Sequence, residues 1–248
     1  MGTTKTKTAR RTRSTTSSAS GGPADEHSGE HRAPAIIAVL AAIALQTVLP
    51  NDLIRGPRLL LPVVELLLLI PLIIVNPQRF RRETAWSRPL SLVLVGVVAA
   101  ANMFSLGLLI KALLEGDASN GKTLLAAALE VWLTNIIVFG LIYWELDRGG
   151  PVKRTQLHHE DLPAADFRFS QDENDDAIDE VAASSSKRTG WVPTLVDYLY
   201  VSVTNSTAFS PTDTMPLSTR AKLLMSTQCI AALITSVLVI AKAVSALE

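Results

Sequence analysis

The sequence predicts an all-α protein, a polytopic membrane helical bundle of five spans plus a short re-entrant or interfacial half-helix. Three observations predict it. Of 248 residues, 48% are hydrophobic and only 5% aromatic, and the apolar residues stand in long blocks. Five such blocks occur, and none carries the polar face at a 3.6-residue period that a helix on a water-soluble core needs. Lysine and arginine concentrate in alternate connections, as in a chain threaded back and forth across a bilayer. The net charge of zero hides this layout, because basic residues crowd the first fifteen positions and acidic ones crowd 160–180.

Residues 1–32 lack any aromatic or branched aliphatic side chain and cannot bury enough apolar surface to offset the entropy of ordering. A disordered basic cytoplasmic tail is expected. The first apolar run begins only after some thirty polar residues, and Leu49-Pro50-Asn51 does not resemble a small-residue cleavage site, which argues against a secretory signal. Arg10-Arg11 does not make a twin-arginine signal, since Thr12, Arg13 and further polar residues follow where an apolar segment should begin.

Residues 33–146 read as a four-span bundle. Pro34–Leu49 is short and alanine-rich and opens on a proline, which a first helical turn tolerates. Leu59–Val75 is strongly apolar with Pro62 and Pro71 inside, acceptable as kinks where neighbours satisfy the freed carbonyls. Leu90–Leu114 and Leu124–Leu146 are long enough to span with tilt, and Leu223–Val244 is the fifth block. With the N-terminus inside, the cytoplasmic segments collect Lys5, Lys7, Arg10, Arg11, Arg13 and Arg32, then Arg79, Arg81, Arg82 and Arg88, then Arg148, Lys153 and Arg154. The outer loops hold only Arg55, Arg58 and Lys122. A multi-pass cell-membrane protein with a cytoplasmic N-terminus follows. Trp86, Trp132, Tyr143 and Trp144 fall near span ends, where amphipathic rings prefer the interface.

Residues 147–190 carry a run of acidic side chains and are expected to form a disordered loop. His158-His159-Glu160-Asp161 lacks the fixed spacing of a metal site, and the single cysteine, Cys229, excludes an intramolecular disulfide. No Gly-rich phosphate loop, nucleophile elbow or zinc signature occurs. Neither catalytic residues nor a metal, cofactor or nucleic-acid site is therefore expected.

Ionisable groups inside apolar spans are costly and mark candidate sites. Under this topology Glu65, Lys111 and Glu130 lie at similar depth in the outer half of the bundle, so a paired cluster is expected, serving as helix-packing glue or as a proton or cation site. Asn102 and Asn135 fall near mid-membrane, where interhelical hydrogen bonding is the commoner role. Gly96, Ala99, Ala100, Met103 and Gly107 predict a face of close helix approach on the third span.

Residues 191–248 hold a half-helix and the last span. Trp191–Ser206 reads as a short, moderately apolar helix with Pro193 in its first turn. Pro211 and Pro216 forbid its continuation, and Ser210-Pro211 favours an extended turn. Asp197-Tyr198-Leu199-Tyr200-Val201-Ser202, then Thr207, Asp213 and Pro216 before the last span, resembles the pore region of two-transmembrane potassium channels, with D-x-x-Y-x-S followed by T-T-V-G-Y-G-D-x-x-P at the same spacing. The resemblance covers about fifty residues, Asp197 to Leu247. The chain as a whole is similar to bacterial inner-membrane proteins of unassigned activity that carry such a segment after several spans.

The resemblance implies ion transport through a ring of copies, with Asp197, Thr207, Ser210, Pro211, Thr212 and Asp213 as filter-like positions and a cation as the partner beside the lipid bilayer. Ser210 and Thr212 stand where the family has glycines, and Pro211 replaces its tyrosine. Those residues cannot readily take the alternating backbone that aims carbonyls at an ion, so potassium selectivity is not expected. The charge-based topology also brings this segment in from the cytoplasmic face, opposite to the channel family. An inverted loop, a sixth span from Trp191 to Ser210, or a first block that does not cross would each resolve this. Five spans plus a half-helix is preferred, because a segment ending in Ser-Pro-Thr-Asp makes a poor spanning helix. The competing class is a non-conducting membrane scaffold or interaction protein.

Overall fold

The computed structural model describes residues 30–48, 60–75, 86–114, 121–173, 176–210 and 213–245. Four apolar helices come first: α1 (Ala33–Val48), α2 (Leu60–Val75), α3 (Ser87–Leu114) and α4 (Gly121–Leu146). A 3-10 turn at Asp147–Gly149 leads into α5 (Pro151–Gln156), β1 (Phe167–Arg168), α6 (Asp179–Ala182) and α7 (Ser186–Thr189). The chain closes with α8 (Leu195–Thr207), β2 (Met215–Pro216) and α9 (Thr219–Ser245). The stretches Ser87–Leu113, Thr123–Gly149 and Thr219–Ala241 are long and apolar enough to cross a membrane, and Ala33–Thr47 and Pro62–Ile74 are shorter apolar helices. This helical architecture is compatible with an integral membrane protein.

The apolar helices run up and down. Arg32, just before α1, donates to the Leu72 carbonyl at the end of α2. Arg220, at the start of α9, donates to the Leu146 carbonyl at the end of α4, 3.3 Å away. The starts of α1 and α3 and the ends of α2 and α4 meet around one cavity. One end of the bundle therefore gathers Arg32, Arg88, Arg148, Arg154 and Arg220. α4 is the central helix, with 61% of its apolar window buried against 39% for α3 and 28% for α9. Its buried positions surround its axis, from Val131 and Asn135 through Val138, Phe139 and Tyr143, because α1, α3, α8 and α9 all pack on it.

The connection after α4 is folded over much of its length, correcting the expectation of a disordered 147–190 loop. Phe167 and Phe169 are 1% and 5% exposed and join Phe139, Tyr143, Trp191 and Tyr198 in one aromatic cluster. β1 pairs antiparallel with β2, Phe167 opposite Pro216 and Arg168 opposite Met215. Acidic residues that meet a cation are anchored, as in Asp166 with Arg220 and Asp172 with Arg148 at 2.5 Å. Glu160, Asp161, Asp176, Asp179 and Glu180 remain exposed.

Of the small-residue face expected on α3, Ala99 and Met103 pack against the core, whereas the two glycines make no close approach within the chain. A Cβ at Gly96 or Gly107 would meet nothing within 4 Å. The close approach lies elsewhere: a Cβ on Gly140 of α4 would sit 2.7 Å from Leu199 Cδ2 and 3.3 Å from Leu199 Cα on α8.

Candidate functional site

α8 begins beside the arginine-rich end and descends along α4. Its start is fixed by Asp197, whose Oδ2 accepts from the Thr194 amide at 2.7 Å and from the Thr194 hydroxyl at 2.9 Å. A carboxylate in the first turn also meets the positive end of the helix dipole. Leu195, Tyr198, Val201, Ser202, Asn205 and Ser206 face inward at helical spacing. The helix ends after Thr207, and Phe209 takes a left-handed backbone, φ 54°, that a bulky residue rarely adopts. Within eight residues of Thr207 the chain is back at the arginine-rich end, where β2 meets β1 and the Leu217 amide donates to Asp166 O at 2.7 Å. Helix and return together form an excursion that enters and leaves the bundle at the same end.

Gln228 on α9 holds the inner part of this excursion. Fully buried, its carboxamide nitrogen donates toward Ser202 O (3.0 Å), Ser202 Oγ (2.6 Å) and Ser206 Oγ (2.8 Å). Its oxygen accepts from Tyr143 OH at 2.6 Å and Asn205 Nδ2 at 2.8 Å. Ser202 Oγ donates to Ile136 O at 2.6 Å, and Asn205 Nδ2 reaches Met225 O at 3.0 Å. One side chain thus links α4, α8 and α9, and each bond satisfies a polar group that burial would otherwise penalise. Sequence reasoning missed Gln228, although a glutamine midway along an apolar block, facing Tyr143 and a helix with Ser202, Asn205 and Ser206, was a readable signal.

The outer end of the excursion is tied by charge. Asp147 is fully buried, its Oδ1 accepting from the Asp166 amide at 2.6 Å and its Oδ2 from Tyr198 OH at 2.5 Å. Arg154, 1% exposed, donates to Trp144 O at the end of α4 and to Asp147 O in the turn that follows, at 2.8 and 2.9 Å. Its guanidinium lies 5.0 Å from the Tyr198 ring centre and 3.8 Å from Glu30. Glu30 accepts from Trp144 Nε1 at 2.9 Å and from the Leu195 amide at 2.8 Å, so the segment before α1 grips the start of α8. Burial raises the Glu30 carboxyl above its ordinary 4.5, against the opposing pull of the Leu195 amide, Trp144 and Arg154.

The filter-like residues separate into two groups. Asp197 caps the start of α8, at the opposite end from the turn, and is corrected from filter position to helix cap. Thr207, Ser210 and Asp213 are exposed on the outside of the excursion, and Pro211 and Thr212 lie outside the described residues. Thr207 Oγ1 donates to Val203 O at 2.9 Å, which leaves its lone pairs directed away from the helix.

The expected Glu65–Lys111–Glu130 cluster does not assemble. Glu65 accepts from Gln46 on α1 at 3.3 Å, and Glu130 accepts from Thr134 on its own helix at 3.3 Å. Similar depth does not fix rotation about the helix axis, and the two carboxylates face different neighbours. Lys111 is exposed. Asn135 does bond between helices, to Gln228 O at 3.4 Å, whereas both side-chain polar atoms of buried Asn102 lack a hydrogen-bond partner.

Comparison of the chain with protein-family models, curated proteins and solved structures gives no match, so the site stands on its own geometry.

Proposed function

We propose that the protein is a multi-pass membrane protein, N-terminus cytoplasmic, in which residues 195–216 form a re-entrant element lining an ion pathway between copies of the chain. The observation that carries this reading is the same-end excursion of α8 and its return. At about 1.5 Å per residue, the 13 residues of α8 reach about 20 Å, short of a hydrocarbon core of about 30 Å. A non-spanning helix with irregular backbone at its tip is tolerated at membrane depth where protein or a watery cavity covers it. The arginine-rich end supports cytoplasmic placement by the positive-inside rule. Thr207, Ser210 and Asp213 are exposed in the single chain, so a pathway through them runs between subunits of a closed ring. Their hydroxyl and carboxylate oxygens suit a cation, without the glycine backbone that potassium selectivity requires.

A second reading is favoured by one observation. Ser202, Asn205 and Ser206 are all engaged in bonds that pack α8 on its neighbours, as they would be in a non-conducting scaffold. Flux from proteoliposomes containing the full chain separates the two. The pathway reading expects cation flux that falls in Asp213→Ala and changes selectivity in Ser210→Gly. No flux under any cation gradient, with both variants indistinguishable from the parent, sinks it in favour of the scaffold.

A further inference from the structure

We propose that Glu65 on α2 is a proton-binding site, its carboxyl held as the neutral acid and paired face to face with the Gln46 carboxamide of α1. Gln46 Nε2 donates to Glu65 Oε1 at 3.3 Å. The two atoms left over, Gln46 Oε1 and Glu65 Oε2, are buried with no hydrogen-bond partner. Both are acceptors when the carboxyl is ionised, so no bond can join them. A proton on Oε2 turns that oxygen into a donor for the amide oxygen. Acid and carboxamide then share two bonds, N–H to O and O–H to O, and one proton satisfies both leftover atoms. α1 and α2 are tied near one end by Arg32 and the Leu72 carbonyl and toward the other by this pair, so the second tie is complete only with the proton bound.

The surroundings favour the neutral form. Glu65 is 0% exposed, on the face of α2 that continues through Leu69 and Leu72 into the core with Ala42 and Ile43 of α1 and Val98 of α3. Val64 and Leu66, its neighbours in sequence, are exposed, so the acid sits behind an apolar helix surface. α1 carries no ionisable residue, and Glu65 is the only one on α2. On α3, Arg88 lines the cavity at the Leu72 end, about 10 Å along the α2 axis from Glu65, and Lys111 is exposed in the last turn. A carboxylate at this place lacks a counter-charge, which apolar surroundings penalise heavily. A bridging water would satisfy both oxygens and leave that charge where it is. A metal cation asks for about six oxygens, whereas the pair supplies only Glu65 Oε1, Glu65 Oε2 and Gln46 Oε1. The assignment rests on this burial and pairing, and not on a pathway between copies.

Infrared spectroscopy of the full-length protein in detergent at neutral pH tests the assignment through the carbonyl stretch of a protonated carboxylic acid, which stands apart from the carboxylate and amide bands. Glu65→Gln replaces the acid proton by an amide hydrogen, keeps both bonds of the pair, and serves as the reference. The parent is expected to show one acid band more than Glu65→Gln. Gln46→Leu is expected to move that band to higher wavenumber, because the acid carbonyl loses its N–H donor. The exchanged pair, Gln46→Glu with Glu65→Gln, is expected to restore the band near its parental position, and it stands in for Gln46→Leu where that variant does not fold. Identical acid-region spectra for the parent and Glu65→Gln mean an ionised Glu65 and overturn the proposal. A band unmoved by Gln46→Leu, or missing from the exchanged pair, overturns the pairing. A band abolished by sodium or potassium chloride at constant pH marks a cation site and overturns the proton as the ligand.

Discussion

Replacing Gln228 with leucine keeps the volume of the side chain and removes every polar contact it makes. The carboxamide offers two hydrogens and one carbonyl oxygen to Ser202, Ser206, Tyr143 and Asn205, so about four hydrogen bonds are lost. Interhelical bonds of this kind average about 0.6 kcal/mol each in membrane proteins, which gives about 2.4 kcal/mol. Tyr143 OH is then buried without its acceptor, adding about 1 kcal/mol. Asn205 and Ser202 retain Met225 O and Ile136 O and add little. The total is about 3 kcal/mol, or roughly a hundredfold in the folded-to-unfolded ratio. Thermal unfolding in detergent, followed by near-ultraviolet circular dichroism, reports the loss, and limited trypsin digestion at Lys187 and Arg188 reports loosening near α8. A Gln228→Leu protein within about 0.5 kcal/mol of the parent refutes the hub, since only an exposed or unrelated site tolerates such a change so well.

Other consequences are equally direct. Gly140→Val drives a Cβ into Leu199 and is expected to destabilise the α4–α8 contact by about 2 kcal/mol, partly recovered by Leu199→Ala in the same chain, as read by thermal unfolding. Arg154→Met removes the buried donor to the Trp144 and Asp147 carbonyls and the cation beside Glu30, with an expected loss of about 3–5 kcal/mol by tryptophan-monitored unfolding, smaller when Glu30→Gln is added. Glu30 has a folded pKa above its ordinary 4.5, so its contribution is fully present below that value and is lost as pH rises through the raised one. Unfolding temperature measured from about pH 4 to about pH 8 is therefore expected to fall in the parent and to flatten in Glu30→Gln.

The helices were legible because long apolar blocks between polar segments leave few alternatives, and the shortness of α8 was legible because the sequence places two prolines soon after it. Rotation about each helix axis was not, because residues in blocks apolar on all sides carry no periodic signal to orient them. Glu65 therefore faces Gln46 instead of Lys111, and Gly96 and Gly107 point away from the close approach that Gly140 makes. The 147–190 connection was misread because its acidic residues dominate its composition, while the alternation Phe167-Arg168-Phe169 marked a short strand with both rings inward. Asp197 was drawn into the filter by its place in a motif. Its position three residues after Thr194 was the stronger local signal, that of a helix cap.

Cysteine accessibility across residues 204–215 tests the central claim most directly. In a Cys229→Ala background, single cysteines at Thr207, Ser210 and Asp213 are expected to react with a membrane-impermeant thiol reagent applied from the cytoplasmic side, and to be protected from the outside. Labelling from the outside alone, or from neither side, contradicts a water-accessible element that enters and leaves at the arginine-rich end.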